Sequence, residues 1–155
     1  MSKAYVEAQV DEIIKNEEFA FPKNLAMASA WILGNLKGIN LKVFDVSATS
    51  SLADYYVVGS ASNPTQANAM ADTVVGELKR NGSNVLSREG LRSSDWILID
   101  SGDIIVHIFL DAAREVYGVE ELWREGKPVQ IPNDYYFSEP EAEESSENTA
   151  ERDFF

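Results

Sequence analysis

At 155 residues with a hydrophobic content of 45%, the chain carries enough apolar side chains for one sizeable core and too few for two. Its formal charge of −13 opposes a phosphate backbone at long range, so a nucleic-acid partner would need a local basic patch, and none is visible in the sequence. There is no cysteine, which excludes disulfides and thiolate chemistry and leaves a structural zinc only carboxylates and the single histidine, His107.

The start, MSKAYVEAQVDEIIKNEE, is acidic and unlike a signal or transit peptide, and no apolar run approaches the roughly 20 residues that cross a bilayer. A cytosolic protein without membrane contact is expected. Val6, Val10, Ile13 and Ile14 recur at helical spacing, which predicts an amphipathic helix that Phe21-Pro22 ends. A second helix is predicted from an N-cap at Asn24 to about Gly38, with Leu25, Ala28, Ile32, Leu33 and Leu36 as its apolar stripe. LKVFDV (41–46) and DYYVVGS (54–60), rich in β-branched and aromatic residues, read as strands. Tyr55 and Tyr56 alternate in direction, so one is expected in the core and the other outward. Asn63-Pro64 opens a long helix carrying Ala67, Met70, Val74, Val75 and Leu78, with Lys79-Arg80 complementing its C-terminal dipole and Asn81-Gly82 closing it.

SNVLSRE reads as a further strand, and DWILID and DIIVHIFL as a hairpin about Ser101-Gly102. DAAREVYGVEELWRE has helical content, interrupted at Tyr117-Gly118. The chain thus divides into a helical extension (1–23), an α/β domain of helices covering a mixed sheet (24–125), an irregular strap (126–137) and an acidic tail (138–155). That tail holds seven acidic residues against one arginine, so six of the thirteen net negative charges lie there, and its composition cannot support a core.

A two-residue turn at Ser101-Gly102 would set Asp100 opposite Asp103, Leu98 opposite Ile105 and Trp96 opposite His107 on one face. Ile97, Ile99, Ile104, Val106 and Ile108 would form the other face, to be buried under helices. Two aspartates facing each other repel by up to roughly 1 kcal/mol unless relieved, which can mark a site; equally, Asp flanks tight turns because its carboxylate bonds nearby amides. His107 offers a metal ligand or a general base, but a lone histidine on a half-apolar strand is more often a hydrogen-bonded packing residue. Trp96 fits either the core or an interface anchor.

An enzyme reading would gather Asp54, Asp100, Asp103 and His107 around a divalent ion for nucleotidyl or phosphoryl transfer. The phosphate clamp such chemistry needs is missing: Gly59-Ser60 precedes a helix, but there is no GxxxxGK[ST] or GxGxxG, and GSASNP is not GxSxG. No cofactor or metal is therefore expected. A self-associating scaffold using the Trp96 face is a third reading.

The order of residues is more specific than any single motif. LKVFDVSATSSLADYYVVGSASNPTQANAMAD, then REGLRSSDWILIDSGDIIVHIF and REVYGVEELW, resembles the ribosomal silencing factor (RsfS/Iojap) family across residues 25 to about 124. The motif positions are Asp54, Tyr55, Gln66, Glu89, Gly90, Trp96, Asp100, Gly102, Asp103, His107, Arg114, Tyr117, Glu120 and Trp123. The chain departs from the pattern in its N-terminal extension, in Leu36-Lys37-Gly38, in Val119 where Leu is typical, and in its long acidic tail. The resemblance implies a nucleotidyltransferase-like α/β fold without catalytic motifs, and a translational repressor that can form homodimers. It would bind the large ribosomal subunit through large-subunit protein fourteen and block joining of the small subunit under starvation. An acidic chain suits such a basic partner, and Glu89, Asp95, Trp96, Asp100 and Asp103, carboxylates around one aromatic, are the expected contact residues.

Overall fold

The computed structural model describes residues 2–91, 95–118, 124 and 126–137. Its elements are α1 (Lys3–Lys15), α2 (Lys23–Asn35), β1 (Ile39–Asp45), β2 (Tyr55–Ala61), α3 (Pro64–Arg80), β3 (Ser87–Leu91), β4 (Trp96–Asp100), β5 (Ile104–Leu110), α4 (Asp111–Tyr117) and β6 (Lys127–Pro128), with a 3-10 turn at Asn133–Tyr135. The six strands form one mixed sheet in the order β3-β4-β5-β2-β1-β6. Only β2 and β5 run parallel, which the crossover through α3 requires; the remaining pairs are antiparallel.

One face of the sheet carries α2 and α3. Ten successive residues of α2, from Leu25 to Gly34, are buried, because the helix has the sheet beneath it and α1, α3 and the 3-10 turn around it. A helix enclosed on all sides is apolar all round, and this one is. It begins at Lys23, and Pro22 rather than Asn24 occupies the cap position. Asn24 lies in the first turn, where its side chain bonds the Leu25 amide and reaches back to the Ile14 carbonyl. α3 is capped as its sequence predicts: Asn63 accepts from the Gln66 amide at 2.8 Å, and Gln66 Oε1 accepts from the Ser62 amide. This reciprocal pair satisfies one amide of the first turn and the amide just before the cap.

α1 lies on α2, burying Val6 and Val10 and setting Tyr5 against Trp31 with ring centroids 6.0 Å apart. Each buried valine contributes roughly 1.5–3 kcal/mol. A polar clamp completes the joint. Arg80 Nη2, at the end of α3, donates to Asp11 Oδ1 (2.8 Å), to the Glu7 carbonyl (3.2 Å) and to Glu77 Oε1 (2.7 Å).

The hairpin falls one residue later than its sequence suggests. The pairs are Asp100 with Ile105, Leu98 with His107 and Trp96 with Phe109. The Ser101 amide donates to the Ile104 carbonyl, and Gly102 and Asp103 form the turn. Gly102 has φ +89°, the left-handed conformation that glycine adopts at the first central position of a type II′ turn. The faces survive, with Ile97, Ile99, Ile104, Val106 and Ile108 all in the main core. Asp103, however, is a turn residue and does not face Asp100 across the strands.

Beyond Gly126 the chain is more ordered than an irregular strap. Lys127 and Pro128 pair with Asp45 and Phe44 as an edge strand, and the 3-10 turn packs on α2, where the Phe137 amide donates to the Gly34 carbonyl. Glu120 and Trp123, and the acidic tail, lie outside the described residues.

Candidate functional site

The second face of the sheet is where the mixed sequence pattern leads. Registers across β3, β4, β5, β2 and β1 lay it out in rows: Ser87, Asp100, Ile105, Tyr56, Phe44; and Glu89, Leu98, His107, Val58, Lys42. A further row runs Trp96, Phe109, Ser60. Phe44, Val46, Ala53, Tyr56, Val58, Ile105 and Phe109 form a second, smaller core here, with Trp96 and Leu98 packed against it.

Tyr56 belongs to this second core, while Tyr55 packs on the main one. The two tyrosines alternate as expected, but both are packed and neither serves as a free outward group.

His107 sits in the middle of this face, 4% exposed. Its ring lies between Tyr56 (centroids 5.5 Å apart, edge-on) and Trp96 (5.9 Å), and is parallel to Phe109 at 6.3 Å. Trp96 Nε1 donates to His107 Nδ1 at 3.1 Å. Nδ1 is therefore an acceptor, and the neutral ring carries its proton on Nε2. Burial pushes the imidazole pKa down to about 3. A histidine so enclosed packs and accepts a hydrogen bond; it is poorly placed to relay protons to a substrate.

The acidic residues divide by position. Glu89 is exposed on β3, the edge strand. Asp100 is half-buried at the end of β4, where Oδ1 accepts from the Gly102 amide at 2.8 Å, so the carboxylate stabilises its own turn. Asp103 is half-buried in that turn, and its carbonyl accepts from the Asp54 amide. Asp95 precedes β4 at the opposite end, its carbonyl accepting from the Leu110 amide. At about 3.3 Å per residue, Asp95 and Asp100 stand roughly 17 Å apart. The structure thus brings Glu89, Trp96 and Asp100 onto one face and sets Asp95 and Asp103 in turns at either end of it. It does not gather Asp54, Asp100, Asp103 and His107: among the described residues no three His, Asp or Glu side chains are placed to share a metal ion.

Several motif positions maintain the fold. Gln66 closes the α3 cap and donates to the Leu36 carbonyl. Arg114, 3% exposed, donates to Ser60 Oγ at 2.8 Å and to the Asn40 carbonyl, tying α4 to β2 and the start of β1. Sequence reasoning passed over Phe109, which supports Trp96 with centroids 4.9 Å apart; the two-residue alternation from Ile105 through His107 carried that signal. It also passed over Lys42, exposed in the row of Glu89 and His107 at the far side of the face.

The matches to known proteins agree with this architecture. Residues 20–154 match the family model described as ribosomal silencing factor during starvation. The ribosomal silencing factor RsfS of Haemophilus influenzae is 40% identical over 91 residues, which cover 59% of this chain and 89% of that protein. A mouse protein named mitochondrial assembly of ribosomal large subunit protein 1 is 31% identical over 84 residues, 52% of this chain and 37% of its own length. A crystal structure of a Chromobacterium violaceum protein aligns with a TM-score of 0.55 at 26% identity, covering 86% of this chain and 92% of the other.

Proposed function

Because the chain belongs to the ribosomal silencing factor family, a family of regulatory factors and not of enzymes, we propose that it binds the large ribosomal subunit and sterically blocks joining of the small one. Its partner on the intersubunit side is a basic ribosomal protein, large-subunit protein fourteen, and the effect is lowered translation under starvation. The name of the mouse relative, which refers to the ribosomal large subunit, supports the choice of subunit. The cytoplasm is the compartment this reading requires, and a homodimer is compatible with it.

One observation carries the choice of surface. Exposed Glu89, half-buried Trp96 and half-buried Asp100 share a sheet face opposite to that covered by α2 and α3, with Asp95 and Asp103 in the flanking turns. An aromatic bordered by carboxylates suits a basic protein surface: the ring supplies apolar area and the carboxylates supply direction and encounter rate. No bond making is needed for this activity; occupying the docking surface suffices.

The test is sedimentation of purified subunits with and without the protein at fixed magnesium. Co-migration with the large subunit and loss of the joined particle are expected. Glu89→Lys is the cleanest variant, since Glu89 is exposed on the edge strand. It should weaken co-migration several-fold, a change of roughly 1 kcal/mol, with an unchanged thermal midpoint. A chain that co-migrates with neither subunit, or that leaves joining intact, would refute the reading.

A further inference from the structure

The family match begins at residue 20, and α1 lies ahead of it. Where α1 meets α2 and the 3-10 turn there is a cavity of about 350 Å³. Its aromatic wall is Phe19, Trp31 and Tyr135, and the carboxylates of Glu12 and Asp134, both exposed, stand at its rim beside Asn16. The Phe19 ring already carries Lys23 Nζ at 5.5 Å from its centroid, so this ring offers an occupant its apolar surface, and a second cation is directed away from it toward Glu12 and Asp134. The Tyr135 phenol is kept neutral by burial and by Asp134, which together push its pKa up to about 12, so it stays a hydrogen-bond donor. The volume is at the lower end of the range for ligand sites, roughly 300–1,000 Å³, and suits one slender group. Two carboxylates at the mouth turn away phosphates and other anions.

We propose that this cavity binds an alkylammonium or guanidinium group on an apolar stem, the chemistry of a lysine or arginine side chain or of a small polyamine. The stem lies along Trp31 and Phe19, and the charged head meets Glu12 and Asp134. Because the lining comes from α1, α2 and the turn at Asn133–Tyr135, an occupant rivets three segments and raises the thermal midpoint as its concentration rises.

Amide-resolved NMR of the full chain tests this, with N-acetyl-arginine methylamide, N-acetyl-lysine methylamide and spermidine as probes at up to millimolar concentration. Saturable shifts centred on the amides of Glu12, Phe19 and Asp134 are expected from at least one of them. The citrulline analogue, which keeps the arginine shape without its charge, should bind about tenfold more weakly, as should the cation to the double variant Glu12→Gln with Asp134→Asn. Either single substitution should weaken binding about threefold, and none should shift the midpoint of the free protein. Saturation by the amino-acid amides identifies a side chain presented by another protein, and saturation by spermidine a free polyamine; either upholds the cation site. Absence of saturable shifts with all three probes, equal binding of the citrulline analogue, or unchanged affinity in the double variant overturns it.

Discussion

His107 makes the fold sensitive to acid in a window that can be calculated. The unfolded imidazole has a pKa near 6.5 and the folded one about 3. Between these values the unfolded chain binds more protons, so stability is full above about pH 6.5 and falls as the pH drops toward 3. At pH 5 the loss from this one group is about 2 kcal/mol relative to neutral pH, from 1.36 kcal/mol for each of the roughly 1.5 pH units below the unfolded pKa. Protonation at Nδ1 would also set two donors against each other, since Trp96 Nε1–H already occupies that lone pair. The assay is urea unfolding followed by circular dichroism at pH 7.5 and pH 5, for the parent and for His107→Gln, which retains an acceptor but does not titrate. Carboxylates contribute equally to both proteins, so the difference between the two pH dependences isolates His107. The parent should lose about 2 kcal/mol more than the variant over this interval. Parallel dependences would show that the imidazole titrates alike in both states, and the enclosed neutral ring described above would be wrong.

Trp96→Ala removes the ring packed on Phe109 and the donor to His107, and should cost about 3 kcal/mol in urea unfolding; Trp96→Phe should recover only part of it, because it restores ring packing but not the Nε1–H donor to the buried imidazole. A Cβ at Gly34 would stand 2.1 Å from the Tyr135 carbonyl oxygen, so Gly34→Ala should displace the 3-10 turn, cost about 1–3 kcal/mol, and abolish hydrogen-exchange protection of the Phe137 amide, which bonds the Gly34 carbonyl. Deleting residues 138–155, rich in Glu and poor in apolar residues, should leave the thermal midpoint within about 2 °C of the full chain by calorimetry.

Elements with a strong period were legible in the sequence, and those held by distant partners were not. The hairpin faces followed from alternation alone, even though the turn was misplaced by one residue. Moving the turn centre along by one shifts the pairing by two, which leaves every side chain on its own face. What placed the turn was Ser101, buried and closing the ladder with Ile104, and no local pattern distinguishes that from Ser101 inside the turn. Asn24 carried a capping side chain, but its amide is committed to the Ile14 carbonyl ten residues upstream. Lys127 and Pro128 have no strand pattern; a proline is tolerated there because the strand is at the edge. As for the partner-binding residues, their types were legible but their grouping was not. That Glu89 joins Trp96 and Asp100 on one face depends on the register of β3 with β4, which the sequence of β3 alone does not set.

The Arg80 clamp bears on how the chain emerges from synthesis. α1 and the guanidinium that holds it are separated by 69 residues between Asp11 and Arg80. At translation rates of about 5–20 residues per second, roughly 3–14 s pass between the appearance of one and of the other. During that interval α2, the most apolar helix of the chain, has emerged without the sheet beneath it and without the clamp above it. α1 is the one neighbour already made. Covering one side of α2 from the start, with the acceptors of Glu7 and Asp11 ready for Arg80, it has the character of a built-in escort, shielding α2 from other nascent chains until β2 and α3 arrive and Arg80 locks the escort in place.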